Sequence, residues 1–258
     1  MKIGICSGIE RIKELESLGI DYIEPMLSPL AALSEADFQM TLKTALSSAL
    51  PVRCFNVMLP QSIRLLTGET AQDDITGYLD KAFFRASLLG ADKAVFGSGN
   101  SRTRPEGLPY DEAWRKLADI AFIIAEAGKK HGITVCIEPL GTKECNMICS
   151  LAEGAGMVSR VNHPSFTLLA DWYHMACNGE SPDEIARIGM VSHVHLSQYE
   201  GRRYPCEASK AELRPLFQNL KTIGYQGDIS LEGHSKAMQK DAPDAVRVLR
   251  ELWEEDRV

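Results

Sequence analysis

The sequence predicts a parallel (β/α)8 barrel, and three observations point to it. A helix closed by glycine and followed by a strand recurs as LGIDYIE (18–24), LGADKAVF (89–96), HGITVCIE (131–138) and IGYQGDISLE (223–232). Eight short apolar or β-branched runs alternate with amphipathic stretches along the chain. The length of 258 residues is close to the roughly 250 typical of one such barrel. Glycine just past a helix accepts the left-handed conformation that ends it, and the run that follows favours extension. The repeated unit is therefore a strand-and-helix module, and right-handed crossovers close eight of them into a ring. An open doubly wound sheet shares this pattern, but no GxGxxG follows the first strand, which counts against a dinucleotide-binding version.

In chain order, strands are expected at 2–6, 20–24, 51–57, 92–97, 133–138, 165–170, 191–196 and 227–232. Between them, helical spacing aligns Ile9, Ile12, Leu15 and Leu18, then Ile75, Leu79, Ala82, Phe83 and Ala86. Trp114, Leu117, Ala121 and Ile124 share a third face, and Val246, Leu249, Leu252 and Trp253 a fourth. The Phe83-Phe84 pair and the methionines are expected in the core. Hydrophobic content of 45% with 24% charged residues is that of a folded globular chain.

Net charge is −7, and no basic cluster exceeds Arg202-Arg203. That excludes a phosphate-tracking surface, so no nucleic-acid partner is expected. The N-terminus MKIGICSGIERIK has no signal-peptide pattern, and no run approaches the ~18 apolar residues of a membrane span. A cytoplasmic protein without a membrane partner is expected, with association into a homo-oligomer left open. Its cysteines (Cys6, Cys54, Cys136, Cys145, Cys149, Cys177 and Cys206) are odd in number and lack a CxxC pair, so reduced thiols are expected.

Glu138, Asp171, His195 and Glu232 each stand at the end of an apolar run: TVCIE, FTLLAD, VSHVHL and DISLE. Residues two apart on a strand share a face. Glu138 lies with Cys136 and Thr134, Asp171 with Leu169 and Thr167, His195 with His193, and Glu232 with Ser230 and Asp228. All four thus fall on the more polar face, the barrel interior, at the C-terminal rim where barrel active sites occur. Any one of these carboxylates could be a surface charge, and Asp171 alone reads as well as a helix N-cap. Four together on successive strands read as a metal site. Three carboxylates and one imidazole suit Mn²⁺ first, with Mg²⁺ and Co²⁺ close behind and Zn²⁺ less favoured. Such an ion polarises a carbonyl and stabilises an enediolate, and either glutamate could carry the proton.

IEPL (137–140), DWYHM (171–175), HVHL (193–196), Arg202 and LE (231–232) together resemble the xylose isomerase-like TIM barrel superfamily. The sugar phosphate isomerase/epimerase and D-tagatose 3-epimerase branch is nearest, and FNVMLP (55–60) and VFGSGNSRTRP (95–105) resemble loops of the same proteins. The resemblance covers the whole chain and implies a single domain over 1–258. It implies that Glu138, Asp171, His195 and Glu232 bind the metal, and that Glu138 and Glu232 are the catalytic acid/base pair. It further implies substrate contacts from Glu144, His174 and Arg202. Gly141 departs from the asparagine of many relatives. The segment after His195 runs one residue longer, which makes Arg203 a rival to Arg202.

The expected activity is isomerisation or epimerisation of a small ketose or related polyol-ketone. The runner-up is a metal-dependent dehydratase or lyase of an inosose or keto-sugar. A DNA-repair endonuclease of the same barrel would need more than the six histidines present and a basic face. A non-catalytic sugar-binding barrel is a further rival, against which the intact ligand set argues. Among secondary candidates, His193 is expected as a hydrogen-bonded core residue, and His131 and His163 as structural residues at the opposite rim. Glu24 and Asn56 are expected in the mouth, and His234, two after Glu232, reads equally as a solvated loop residue or a substrate contact. The 97–105 loop reads either as an ordinary loop or as an anion cradle using Arg102 or Arg104.

Overall fold

The computed structural model describes residues 1–255. Its eight strands are β1 (Ile3–Cys6), β2 (Tyr22–Glu24), β3 (Cys54–Phe55), β4 (Lys93–Phe96), β5 (Thr134–Ile137), β6 (Phe166–Asp171), β7 (His193–Leu196) and β8 (Asp228–Leu231). All pair in parallel in the order β2-β1-β8-β7-β6-β5-β4-β3. The remaining gap, between β2 and β3, is bridged at Ile23–Val52 and Met26–Asn56. There the Ile23 N–H donates to Pro51 O at 3.0 Å and the Leu27 N–H to Asn56 O at 2.8 Å. The sheet is a closed barrel with sequential strand order, as the repeated modules predict.

Helices Glu35–Leu46, Gln72–Leu88, Tyr110–Lys130, Leu151–Val161, Lys210–Thr222 and Met238–Glu254 lie among the connections. Ser34 and Ser150 cap two of them by accepting the N–H groups of Asp37 and Glu153. The main apolar core fills the layer between sheet and helices, and Ile75, Leu79, Ala82, Phe83 and Ala86 all belong to it. A second, small cluster of Cys54, Val95, Cys136 and Leu169, one residue from each of four adjacent strands, fills part of the barrel interior.

Two helical expectations need correction. Ile9, Ile12, Leu15 and Leu18 are buried together, but Ile9 sits on a 3₁₀ turn (Ile9–Arg11), Ile12 and Leu15 on one short helix (Ile12–Leu15), and Leu18 in the bend after it. Gly19 then turns the connection toward β2 with φ of 75°. Phe84 is 51% exposed and Met40 62% exposed. Neighbouring helical residues point about 100° apart, so of Phe83 and Phe84 only one faces the sheet.

Arg85 ties the helical layer together. Only 4% exposed, its Nη1 donates to the carbonyls of Leu30, Ala31 and Leu33 at 2.9, 3.3 and 2.9 Å. They lie at the C-terminal end of a short helix, Leu27–Ala32, where the Leu30 carbonyl also accepts the Leu33 N–H at 3.4 Å. We expect Arg85→Met to cost about 2–4 kcal/mol in urea unfolding, because it strands buried carbonyls. A loss below about 1 kcal/mol would mean that water reaches them instead.

Candidate active site at the C-terminal rim

The strand ends gather the four carboxylate and imidazole groups into one cluster. Ligand atoms of Glu138, Asp171, His195 and Glu232 all lie within 4.8 Å of one another. Asp171 and His195 are register partners of β6 and β7, so their side chains share the inner face. Glu138 follows β5 and precedes Pro139, which holds its backbone extended. A β carbon on Gly97, just after β4, would fall 1.7 Å from Glu138 Oε2. The missing side chain at Gly97 is thus the space that the Glu138 carboxylate uses.

His195 stands at the centre with no exposure. Its Nδ1 lies 3.1 Å from Glu138 Oε1 and 3.4 Å from Glu232 Oε2. Its Nε2 points down the barrel to Glu24 Oε1 at 2.7 Å. Burial works against its charge, but Glu24 and Glu232 overcome this and raise its pKa well above the ordinary imidazole value. Glu232 is held far below the usual carboxylate range: burial opposes its ionisation, and His195 and Arg202 outweigh it.

Asp171 takes the helix-capping role that its sequence position allows. Its Oδ1 accepts the His174 N–H at 3.1 Å and caps the helix Trp172–Cys177. Its Oδ2 is buried without a hydrogen-bond partner, 3.6 Å from Arg202 Nη2. Burial first, then Glu232 and Glu138, push its pKa well above the ordinary value. A buried carboxylate oxygen with no donor among crowded anions fits a cation-binding position.

Residues 12–252 match the family model of the xylose isomerase-like TIM barrel. The chain belongs to that family. It is 25% identical to the D-psicose 3-epimerase of Agrobacterium fabrum over 250 residues, 93% of this chain and 84% of that one. It is 23% identical over 137 residues to the 3-dehydro-D-guloside 4-epimerase of Escherichia coli, covering 52% of this chain and 51% of the relative. With the latter and two L-ribulose 3-epimerases, the match spans about half the length of the curated relatives. A D-psicose 3-epimerase crystallised with D-fructose superimposes with a TM-score of 0.85 over 99% of this chain and all of that one, at 18% identity. That last likeness establishes the xylose isomerase-like fold.

Within this family barrel, the residues carried over by resemblance lie around the same cluster. Arg202 Nη2 donates to Glu232 Oε2 at 2.5 Å, and its guanidinium stacks 4.6 Å from the centre of the Tyr173 ring. Gly201 and Arg202 are both left-handed, with φ of 70° and 48°. This turn sends Arg202 inward, whereas Arg203 and His234 line an outer cavity of about 740 Å³ with Tyr204 and Lys236. A β carbon on Gly233 would sit 2.7 Å from the Arg202 carbonyl oxygen, so glycine lets the loops after β7 and β8 touch. His174 is buried, and its Nδ1 accepts the Gly141 N–H at 3.1 Å. Burial lowers its pKa despite the nearby Glu138 and Glu144, so Nε2 carries the single proton of the neutral ring. Glu144 Oε1 lies 3.7 Å from His174 Nδ1 on a half-exposed side chain.

Other expectations change. Arg102 is no anion ligand: fully buried, it donates to the carbonyls of Phe96 and Glu138 at 2.6 and 2.5 Å. Arg104 likewise donates to the Leu108 carbonyl at 2.6 Å, so the 97–105 loop spends its cations on carbonyls. Glu24 points inward as the strand phase requires, yet it has no exposure and lies beneath the mouth. Asn56 is 6% exposed, with its Oδ1 unpartnered. His131 and His163 pair with Asp80 and Glu126 at 2.7 and 2.6 Å, just before β5 and β6 at the opposite rim. All seven cysteines are free, and no helix among the described residues is long and apolar enough to cross a membrane. Tyr173, the platform under Arg202, escaped the sequence reading because aromatic residues beside a helix start are common.

The raised Asp171 pKa has a sign that can be measured. The folded state disfavours its ionised form, so the penalty is absent below the ordinary carboxylate value of about 3.9 and grows above it. Asp171→Asn keeps the helix-capping oxygen and removes the charge. We expect the ion-free variant to be more stable than the parent at pH 7, by about 0.5–2 kcal/mol, with the gap closing below about pH 4. A variant less stable at pH 7 in chelator would show that carboxylate crowding does not govern this rim.

Proposed function

We propose that this chain is a divalent-metal-dependent isomerase or epimerase of a small ketose or related polyol-ketone. It works by moving a proton through an enediolate between Glu138 and Glu232. One observation carries the reading: carboxylates from β5 and from the end of β8 approach His195 Nδ1, at 3.1 and 3.4 Å. Two bases converging on one small volume suit removal of a proton from one face of a carbon and its return to the other. The names of the relatives, epimerases of D-psicose and L-ribulose among them, support a ketose as substrate.

Glu138, Asp171, His195 and Glu232 would hold the ion, and the donor set with the unpartnered Asp171 Oδ2 fits a hard or borderline divalent cation, Mn²⁺ first. When bound, that ion supplies polarisation of the substrate carbonyl and offsets charge on its oxygen. Arg202, braced on Tyr173, donates to a substrate oxygen. His174 presents its Nε2–H, and Glu144 accepts a hydroxyl at the more open side. One glutamate takes the proton next to the carbonyl while the other holds the proton to be returned.

The Mn²⁺-loaded protein, incubated in D2O with D-psicose or L-ribulose, should place deuterium on the carbon beside the carbonyl, because the carboxylic acid formed exchanges with water. Turnover to an isomer without label would replace proton transfer by hydride shift. Loss of water or an aglycone in the product mass would make the protein a lyase. Glu232→Gln should keep Mn²⁺ binding within about tenfold yet lose exchange by about 10²-fold or more, whereas Asp171→Asn should lose the ion. Full activity of Glu232→Gln at excess Mn²⁺ would reduce Glu232 to a ligand.

A further inference from the structure

We propose that Glu24 is the positioning residue of this site, a sealed carboxylate that fixes the protons of His195 and His193 on Nε2 and so aims the His195 Nδ1 lone pair at the rim. The inference rests on the ion-site reading above. Glu24 ends β2, three strands in the ring away from the β5 strand that Glu138 follows, and has no exposure. Its Oε1 lies 2.7 Å from His195 Nε2, and its Oε2 lies 2.8 Å from His193 Nε2. Ser230 Oγ donates to the same Oε2 at 2.5 Å and meets Tyr22 Oη at 2.7 Å. The serine hydrogen is already given to Glu24, so the tyrosine hydroxyl must be the donor in the second bond.

An ionised carboxylate only accepts hydrogen bonds, so each facing Nε2 must carry a hydrogen. His193 bears the mark of this arrangement, since its Nδ1 is buried with no partner, as a bare lone pair would be. The two rings meet edge to face, 5.2 Å apart at 79°, so neither turns without displacing the other. The rim nitrogen, Nδ1, also faces carboxylates, Glu138 at 3.1 Å and Glu232 at 3.4 Å, and in the ion-free ring carries a second hydrogen. Ion binding at Nδ1 displaces that hydrogen, whereas Glu24 keeps the one on Nε2. A histidine that binds a metal through one nitrogen is oriented by what holds the other. Here one carboxylate holds two imidazoles, and a serine and a tyrosine hold the carboxylate.

The test begins with the wild-type chain loaded with Mg²⁺, which is diamagnetic, and ¹⁵N spectra of its histidine rings. His195 and His193 should both carry the proton on Nε2, and a proton on His195 Nδ1 overturns the proposal. Glu24→Gln then removes the charge and one acceptor at nearly constant shape. Calorimetric Mn²⁺ affinity should fall about 10- to 100-fold, with the ring spectrum of at least one of the two histidines altered. Affinity retained within about threefold, against the loss seen in Asp171→Asn, overturns the role of Glu24 while leaving the ion site intact. A wild-type chain that binds neither ion overturns the underlying reading as well. If Glu24→Gln fails to fold, the wild-type ring spectrum decides alone.

Discussion

Crowding of three carboxylates around one imidazole at the barrel rim is the constraint on which the rest of this structure depends. Like charges at such separations repel strongly where water is excluded. The fold answers with cations and with geometry. His195 and Arg202 reach Glu232 from two sides, and Arg202 holds its place through a left-handed backbone and a tyrosine platform. Residues kept in that sparsely populated region, other than glycine, are costly and persist where surroundings over-determine them. Gly97 and Gly233 supply the missing volume, one for a carboxylate and the other for a loop contact. The remaining imbalance sits on Asp171, whose second oxygen has no donor.

The sequence carried the strands and their inner faces legibly, because the period of two and the glycine-closed helices are local properties. That was enough to bring Glu138, Asp171, His195 and Glu232 to one rim, since in a sequential parallel barrel every C-terminal strand end faces the same way. Depth was not legible. Period two says that Glu24 points inward but not how far down, which depends on the stagger between strands. Glu24 therefore read as a mouth residue and proved to be the floor beneath His195. Long cations in loops were equally opaque. Arg102 and Arg202 each follow a strand end, yet one is consumed by the carbonyls of Phe96 and Glu138 and the other enters the site. The choice between Arg202 and Arg203 turned on two backbone angles that no pattern of residue types reports.

The buried polar interior and the catalytic reading are linked through the tautomers of two histidines. His174 has its Nδ1 occupied by the Gly141 N–H, which leaves Nε2 as donor. Gly141 replaces the asparagine that the resemblance leads one to expect, and a β carbon there would meet His174 Nδ1 at an ordinary 3.5 Å. The glycine is thus not required by space, and the N–H it gives His174 is one that asparagine would also supply; what it removes is a side chain at the mouth. His195 has its Nε2 engaged by Glu24, the opposite nitrogen from the one engaged on His174. One imidazole thereby keeps Nε2 as its free donor, and the other presents Nδ1, the nitrogen that would meet the ion. On the proposed mechanism this leaves the carboxyls of Glu138 and Glu232 as the groups whose protonation changes during turnover. Fixing the imidazoles in advance lowers the reorganisation that proton transfer demands, and it explains why so much buried polarity is spent beneath the rim.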